Sequence, residues 1–403
     1  MEVYPKRKWE PELKTKAANV SRTGHFYNQH GLKIRWYSWE VAQPKAIIAF
    51  AHGIGVYGSF EMLASEPPGT PRQHYASSWP ERANEAGVSL FCLDHQGHGR
   101  SDYARGKRCY FERIQHVVDD FALFVGKLKT ELAVGTPVFM VGTSLGGYVA
   151  TRAAIDYPDA ANGLVALAPA LSLDRIAAKP LNKILLPFTT ILSMMIPTVP
   201  LPKTVKNVKF PFTQQEVEND ALTWPSGVKR TRVRVAAEIY LASLALKQPG
   251  VIEKIKMPMI AFHGRDDVYT DPKGSAMLYE RASSSDKRLE WVDDVFHDLC
   301  HEKPTSDEIC DEILSWVLAR SNVVTDTTTN DAKPAKRARK STPTASKSSR
   351  SAAPARKSSA AKPEPASKPS SARRASPSAS AGSSRRAAAK KSSSSSRTTR
   401  RRR

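Results

Sequence analysis

PVFMVGTSLGGYVATRAAIDYP, residues 137–158, is the stretch on which the fold turns. Pro137–Val141 is short, apolar and β-prone, as expected of a strand buried on both faces. Leu145–Asp156 reads as a helix, closed by Tyr157-Pro158. Between them lies Gly142-Thr143-Ser144-Leu145-Gly146, a G-x-S-x-G motif in the strand–turn–helix context that gives it meaning. The flanking glycines leave room for a strained turn that lifts the serine hydroxyl above the sheet edge. The turn also sets Ser144 at a helix N-terminus, where the helix dipole favours a developing negative charge.

Outward from this unit, apolar runs alternate with amphipathic segments, which predicts an α/β fold with a mostly parallel sheet. The expected strands are Lys33–Trp39, Ala46–Ala51, Ser89–Leu93, Val138–Val141, Gly163–Ala168, Met259–Phe262 and Arg288–Val292. Helices are expected at Ser78–Ala86, Gln115–Leu132, Leu145–Asp156 and Thr305–Arg320. Residues 171–245 break the alternation with an apolar helical stretch, a Pro/Lys loop and a further helix near Thr231–Leu246. An insertion between two strands at this point reads as a cap over the sheet ends.

A serine nucleophile needs a base, and the base needs an orienting acid. After a G-x-S-x-G serine these follow in the order acid, then histidine. Strand MPMIAF runs into His263-Gly264-Arg265-Asp266-Asp267, and the next strand, KRLEWV, into Asp293-Asp294-Val295-Phe296-His297. Asp267 and His297 are therefore the expected acid and base, with Asp266 and His301 as alternatives. The oxyanion hole needs two backbone donors. Leu145 supplies one, and Ile54, in the His52-Gly53-Ile54-Gly55 turn after strand AIIAFA, supplies the other. His52 reads as a turn-stabilising residue. His95 and His98, in Asp94-His95-Gln96-Gly97-His98-Gly99-Arg100-Ser101-Asp102, lie in a Gly-rich loop without further ligands, so the expectation is loop packing and no metal site.

HGIG, LDHQGHGRSD, GTSLGG, HGRDD and FHDLCHE, in this order and spacing, resemble the monoacylglycerol lipase and lysophospholipase branch of the α/β hydrolases. The resemblance covers roughly residues 20–320 and takes in AAKPLNKILLP and Asn219–Thr223. It implies an α/β-hydrolase fold with a helical cap, a triad of Ser144, Asp267 and His297, and an oxyanion hole from the amides of Ile54 and Leu145. No cofactor is implied. Within the branch, YGSFEMLASEPPGTPRQHYASSW looks closer to protozoan lysophospholipase-like members than to the animal lipase.

The cap narrows the substrate class. Between Arg175 and Gln215 there is no Asp or Glu, while six basic residues (Arg175, Lys179, Lys183, Lys203, Lys206, Lys209) fringe the apolar run Ile184–Ile196. An apolar lid with a basic rim suits an acyl chain and an anionic membrane surface. An aminopeptidase, the other activity of similar sequences, would need carboxylates to hold a free ammonium group. The expected substrate is thus a glycerolipid acyl ester, monoacylglycerol or lysophospholipid.

Composition divides the chain near residue 321. Ser321–Arg403 carries 22 Lys and Arg against three acids, and residues 1–320 carry 39 basic against 36 acidic groups. The expected organisation is one hydrolase domain over 1–320 and a disordered Ser/Lys/Arg/Ala-rich tail over 321–403. Such a tail suits a polyanion, nucleic acid or anionic lipid, and PAKRARK at 334–340 reads as a nuclear-import segment. A hydrolase-fold body serving mainly to carry a nucleic-acid-binding tail is the competing reading. Cys92, Cys109, Cys300 and Cys310 form no CxxC pair and are expected as buried, reduced thiols. The N-terminus lacks the apolar core of a signal peptide, and Ile184–Ile196 is too short and too Pro-broken to span a bilayer. The expected compartment is the cytoplasm, with membrane association, and with nuclear entry if the tail directs it.

Overall fold

The computed structural model describes residues 22–201, 207, 209–224 and 231–329. The expected tail beyond Thr329, the N-terminal segment, and Lys203 and Lys206 of the cap lie outside the described residues.

Eight strands form one sheet: β1 Arg22–Tyr27, β2 Lys33–Trp39, β3 Ala46–Ala51, β4 Val88–Leu93, β5 Val138–Thr143, β6 Gly163–Leu167, β7 Met259–Gly264 and β8 Lys287–Val292. Their spatial order is β1-β2-β4-β3-β5-β6-β7-β8. β1 and β2 pair antiparallel, as do β2 and β4, and every later pairing is parallel. All seven expected strands form, with ends shifted by at most two residues. β1 escapes the sequence reading because it is an edge strand with one buried residue, so it shows no apolar run.

Strand side chains divide between two cores by the two-residue period of a pleated sheet. Ile47, Ala49, Ala51, Val138, Met140, Leu164, Ala166, Met259 and Ala261 face one helical layer, which includes helices Ile114–Lys127 and Leu145–Asp156. Ile48, Phe50, Phe139, Val141, Val165, Leu167, Ile260 and Phe262 face the other, packed by helices Trp79–Glu85 and Thr305–Thr329. That two-sided burial explains why β3 and β5 read as continuous apolar runs.

Two helices differ from expectation. Gln115–Leu132 is an α-helix over Ile114–Lys127 followed by a single π-turn at Leu128–Leu132. The last helix continues past Arg320 to Thr329, since no Pro or Gly interrupts Ser321–Thr329. Between β6 and β7 the chain forms the cap: helices Asp174–Ala177, Pro180–Leu185, Thr189–Met195, Pro211–Asn219 and Val233–Leu246. No described helix is long and apolar enough to cross a membrane.

Candidate active site

From β3 the chain goes to β4 on one side, and from β5 it goes to β6 on the other, so a crevice opens between β3 and β5 at their C-terminal ends. Binding sites of open α/β sheets form there. The turn His52–Gly55 follows β3, Ser144 follows β5, Asp267 follows β7 and His297 follows β8. Residues from distant parts of the chain thus meet on one edge.

Ser144 has φ +54° and ψ −116°, a backbone conformation unfavourable for a non-glycine residue. Tertiary bonds hold it there. Its N–H donates to Leu167 O at 2.9 Å, and its carbonyl accepts from Ala170 N at 2.9 Å. The motif glycines are required by close approach. A Cβ on Gly146 would stand 1.9 Å from Ala51 O, and one on Gly142 would stand 2.2 Å from Gly146 O. The His52–Gly55 turn lies alongside, since a Cβ on Gly53 would be 3.5 Å from Ser144 Cβ. Among the described residues no backbone carbonyl accepts from the Ile54 or Leu145 amide.

Of the two adjacent acids, Asp267 meets the histidine. His297 Nδ1–H donates to its Oδ2 at 2.7 Å, whereas Asp266 faces solvent beside Lys209. Asp267 is fully buried and held from several sides: the Tyr269 and Thr270 amides reach Oδ1 at 2.7 and 3.1 Å, and the Thr270 hydroxyl reaches Oδ2 at 2.7 Å. Burial would raise its pKa. The neighbouring His297 charge, with hydrogen bonds from His263 and His297, outweighs that and holds the carboxyl below its usual range. For His297 the balance runs the other way: burial lowers its pKa, but Asp267 lifts it to about 8. Among the described residues Ser144 and His297 share no hydrogen bond, as is common in unliganded sites where that contact tightens around substrate.

His301, the alternative base, instead donates from Nε2 to Glu61 O at 2.7 Å, and burial lowers its pKa to about 4. His52 is a turn residue. Its Nε2 accepts from the His95 amide at 2.9 Å, which leaves Nδ1 to carry the proton shared with Gly53 O at 2.7 Å. His95 and His98 are buried in the β4 loop, with pKa values lowered by burial to about 3 and 4. The one described group of ligand-type atoms within 4.8 Å of one another is Glu61, Asp298 and Cys300. There the Arg72 guanidinium already pairs with Asp298 at 2.8 Å, supplying the positive charge that a metal would bring. All four cysteines are buried and free.

Sequence reasoning missed Glu302 and Arg72. The Glu302 carboxylate accepts the amides of Phe296, His297 (3.1 Å) and Asp298 (3.0 Å), gathering the turn that presents His297. Its position in FHDLCHE, five residues past the histidine, was the available signal. Arg72 lies in a loop whose sequence carries no periodic pattern, and only the tertiary fold reveals its partners.

A mostly parallel eight-stranded sheet with a strained serine after β5, an acid after β7, a histidine after β8 and a cap between β6 and β7 defines an α/β hydrolase. The chain belongs to the Hydrolase_4 family, described as serine aminopeptidase S33, whose model matches residues 74–304. Within that class it falls in the monoacylglycerol lipase branch. It is 26% identical to human monoglyceride lipase over 300 residues, covering 74% of this chain and 90% of the relative. With the monoacylglycerol lipase of Mycolicibacterium smegmatis it shares 24% over 311 residues, 74% of this chain and 98% of the relative. Among solved structures, a soluble variant of Saccharomyces cerevisiae monoglyceride lipase with a substrate analogue superposes with a TM-score of 0.60. That match is at 20% identity and covers 79% of this chain and 99% of the other.

Proposed function

We propose that this protein hydrolyses acyl esters of glycerolipids, monoacylglycerol foremost, through an acyl-enzyme on Ser144. The observation that carries the reading is the Asp267–His297 pair on the same sheet edge as a strained Ser144. His297, oriented by Asp267, takes the proton from Ser144 Oγ as it attacks the ester carbonyl. The Ile54 and Leu145 amides stabilise the tetrahedral oxyanion, and the alcohol departs with the proton from His297. Water then repeats the sequence and frees the acid.

The cap supports a lipid substrate. Met195, Met194 and Ile184 are 74%, 68% and 66% exposed, with Phe188 and Ile191 also more than half exposed. Lys179 and Lys183 stand exposed beside them. An apolar patch with a cationic rim suits docking at an anionic bilayer, from which an acyl chain enters the site. The family's description as an aminopeptidase finds less support here. The cap carboxylate Glu216 and the Asp298 carboxylate beside the base are both paired with buried Arg72, so neither is free for a substrate ammonium. Lysophospholipid is the second substrate reading, favoured by the same basic rim. The C-terminal tail beyond Thr329 we assign to polyanion binding on its charge alone.

The test is Ser144→Ala, which should abolish hydrolysis of a short p-nitrophenyl ester while leaving the protein folded; residual activity within about tenfold of wild type sinks the assignment. A panel of monoacylglycerols against lysophospholipids separates the two substrates.

A further inference from the structure

Two polar links run from the cap to the loop that carries His297. In the first, Arg72 Nε pairs with Glu216 Oε2 at 2.8 Å, on cap helix Pro211–Asn219, while its Nη2 pairs with Asp298 Oδ2 at 2.8 Å. The Arg72 side chain is fully buried and Glu216 is nearly so. In the second, cap residue Asn207 donates from Nδ2 to Glu302 Oε1 at 3.0 Å, and that carboxylate gathers the amides of residues 296–298. The loop that carries Arg72 holds the cap helix by two further bonds: Ser65 Oγ donates to Glu216 Oε1 at 2.5 Å, and Asn219 Nδ2 donates to Gly69 O at 2.8 Å.

A buried guanidinium between two carboxylates cannot release one of them without stranding a desolvated charge. Its two anchors therefore move together. One anchor belongs to the cap, the element that would meet lipid, and the other is covalently next to His297. We propose that Arg72, Glu216 and Asn207 are positioning residues through which the cap sets the catalytic base, so that displacing the cap impairs the chemical step as well as substrate capture. This rests on the reading of His297 as the base.

The ordinary expectation of a cap is different. A cap that only shapes the acyl pocket affects long substrates and leaves a short ester untouched. Full-length Asn207→Ala and Glu216→Gln are compared with wild type on p-nitrophenyl acetate and on a long-chain monoacylglycerol, with melting temperatures measured alongside. The proposal expects kcat on the acetate to fall on the order of tenfold or more in each variant, with KM within about twofold, because misplacing a base by about 1 Å costs up to a hundredfold. Arg72→Lys, which keeps the charge but not the fork, should fall between wild type and Glu216→Gln. Acetate turnover unchanged in Asn207→Ala and Glu216→Gln, with effects confined to the long substrate, overturns it. If Glu216→Gln fails to fold, Asn207→Ala decides alone. His297→Ala separates the two failures: if it retains acetate turnover, the base assignment is wrong; if it is dead while the cap variants are normal, only the positioning role is wrong.

Discussion

Replacing Asp267 with Asn is the most searching perturbation of the site, because Asp267 is what holds His297 above its ordinary pKa. His297 moves from 6.5 to about 8, and its side chain is 16% exposed, so solvent screens the pair little. A shift of that size corresponds to about 2 kcal/mol of preferential stabilisation of the imidazolium, the form that the proposed mechanism generates as Ser144 attacks. Losing it costs about 30-fold in kcat/KM from charge alone, and disturbing the Nδ1 tautomer adds to that. Wild-type kcat/KM should rise with pH as His297 loses its proton, with an inflection near pH 8. In Asp267→Asn burial still lowers the imidazole pKa and only the Glu302 and Asp298 carboxylates still raise it, so the inflection should move down from about 8 as the plateau drops. The same pair leaves a stability signature. Because the folded pKa of His297 is raised, its contribution is complete below about pH 6.5 and is lost as pH rises through about 8. Stopped assays on a p-nitrophenyl ester across about pH 5.5–9.5 measure the profile. A wild-type profile without an inflection between about 7 and 9, or an Asp267→Asn enzyme within about threefold of wild type, would overturn this account.

Gly146→Ala would put a methyl group 1.9 Å from Ala51 O, against backbone that cannot yield, so thermal denaturation should show a loss of several degrees or failure to fold. Met194→Gln with Met195→Gln removes apolar surface from the exposed cap. Sedimentation with anionic vesicles should show weaker binding, while turnover of a water-soluble short ester stays within about twofold. Truncation after Thr329 removes the tail charge and keeps the last helix. Ester turnover should persist, whereas salt-dependent retention on a polyanion matrix should be lost; if turnover disappears with the tail, the hydrolase reading of the body falls.

Much of this architecture was legible because its signals are local. Strands β3 and β5 announce themselves as apolar runs, and helix Leu145–Asp156 has its stop in Tyr157-Pro158. The G-x-S-x-G glycines are needed wherever that turn occurs, so Ser144 could be singled out from five residues. The antiparallel strand Arg22–Tyr27 was not legible, since an edge strand with one buried residue has no pattern to read. Nor was the end of the last helix, where the sequence turns polar without a breaker.

Chain order and spacing also limited the acid to Asp266 or Asp267 and the base to His297 or His301, because each pair sits just past a predicted strand. Choosing within the pairs needed the third dimension. Neighbouring residues in a turn point in different directions, and only packing decides that Asp267 enters the core while Asp266 meets Lys209. The ties from the cap to the base loop were further from reach. Arg72, Glu216 and Asp298 are brought together by loop and cap geometry, and their pairing depends on burial that no local pattern encodes. Local sequence was enough to name the candidate residues, since backbone sterics and strand order are short-range. Which of them are desolvated and facing was left to the packed fold, because burial and charge pairing arise only where distant segments meet.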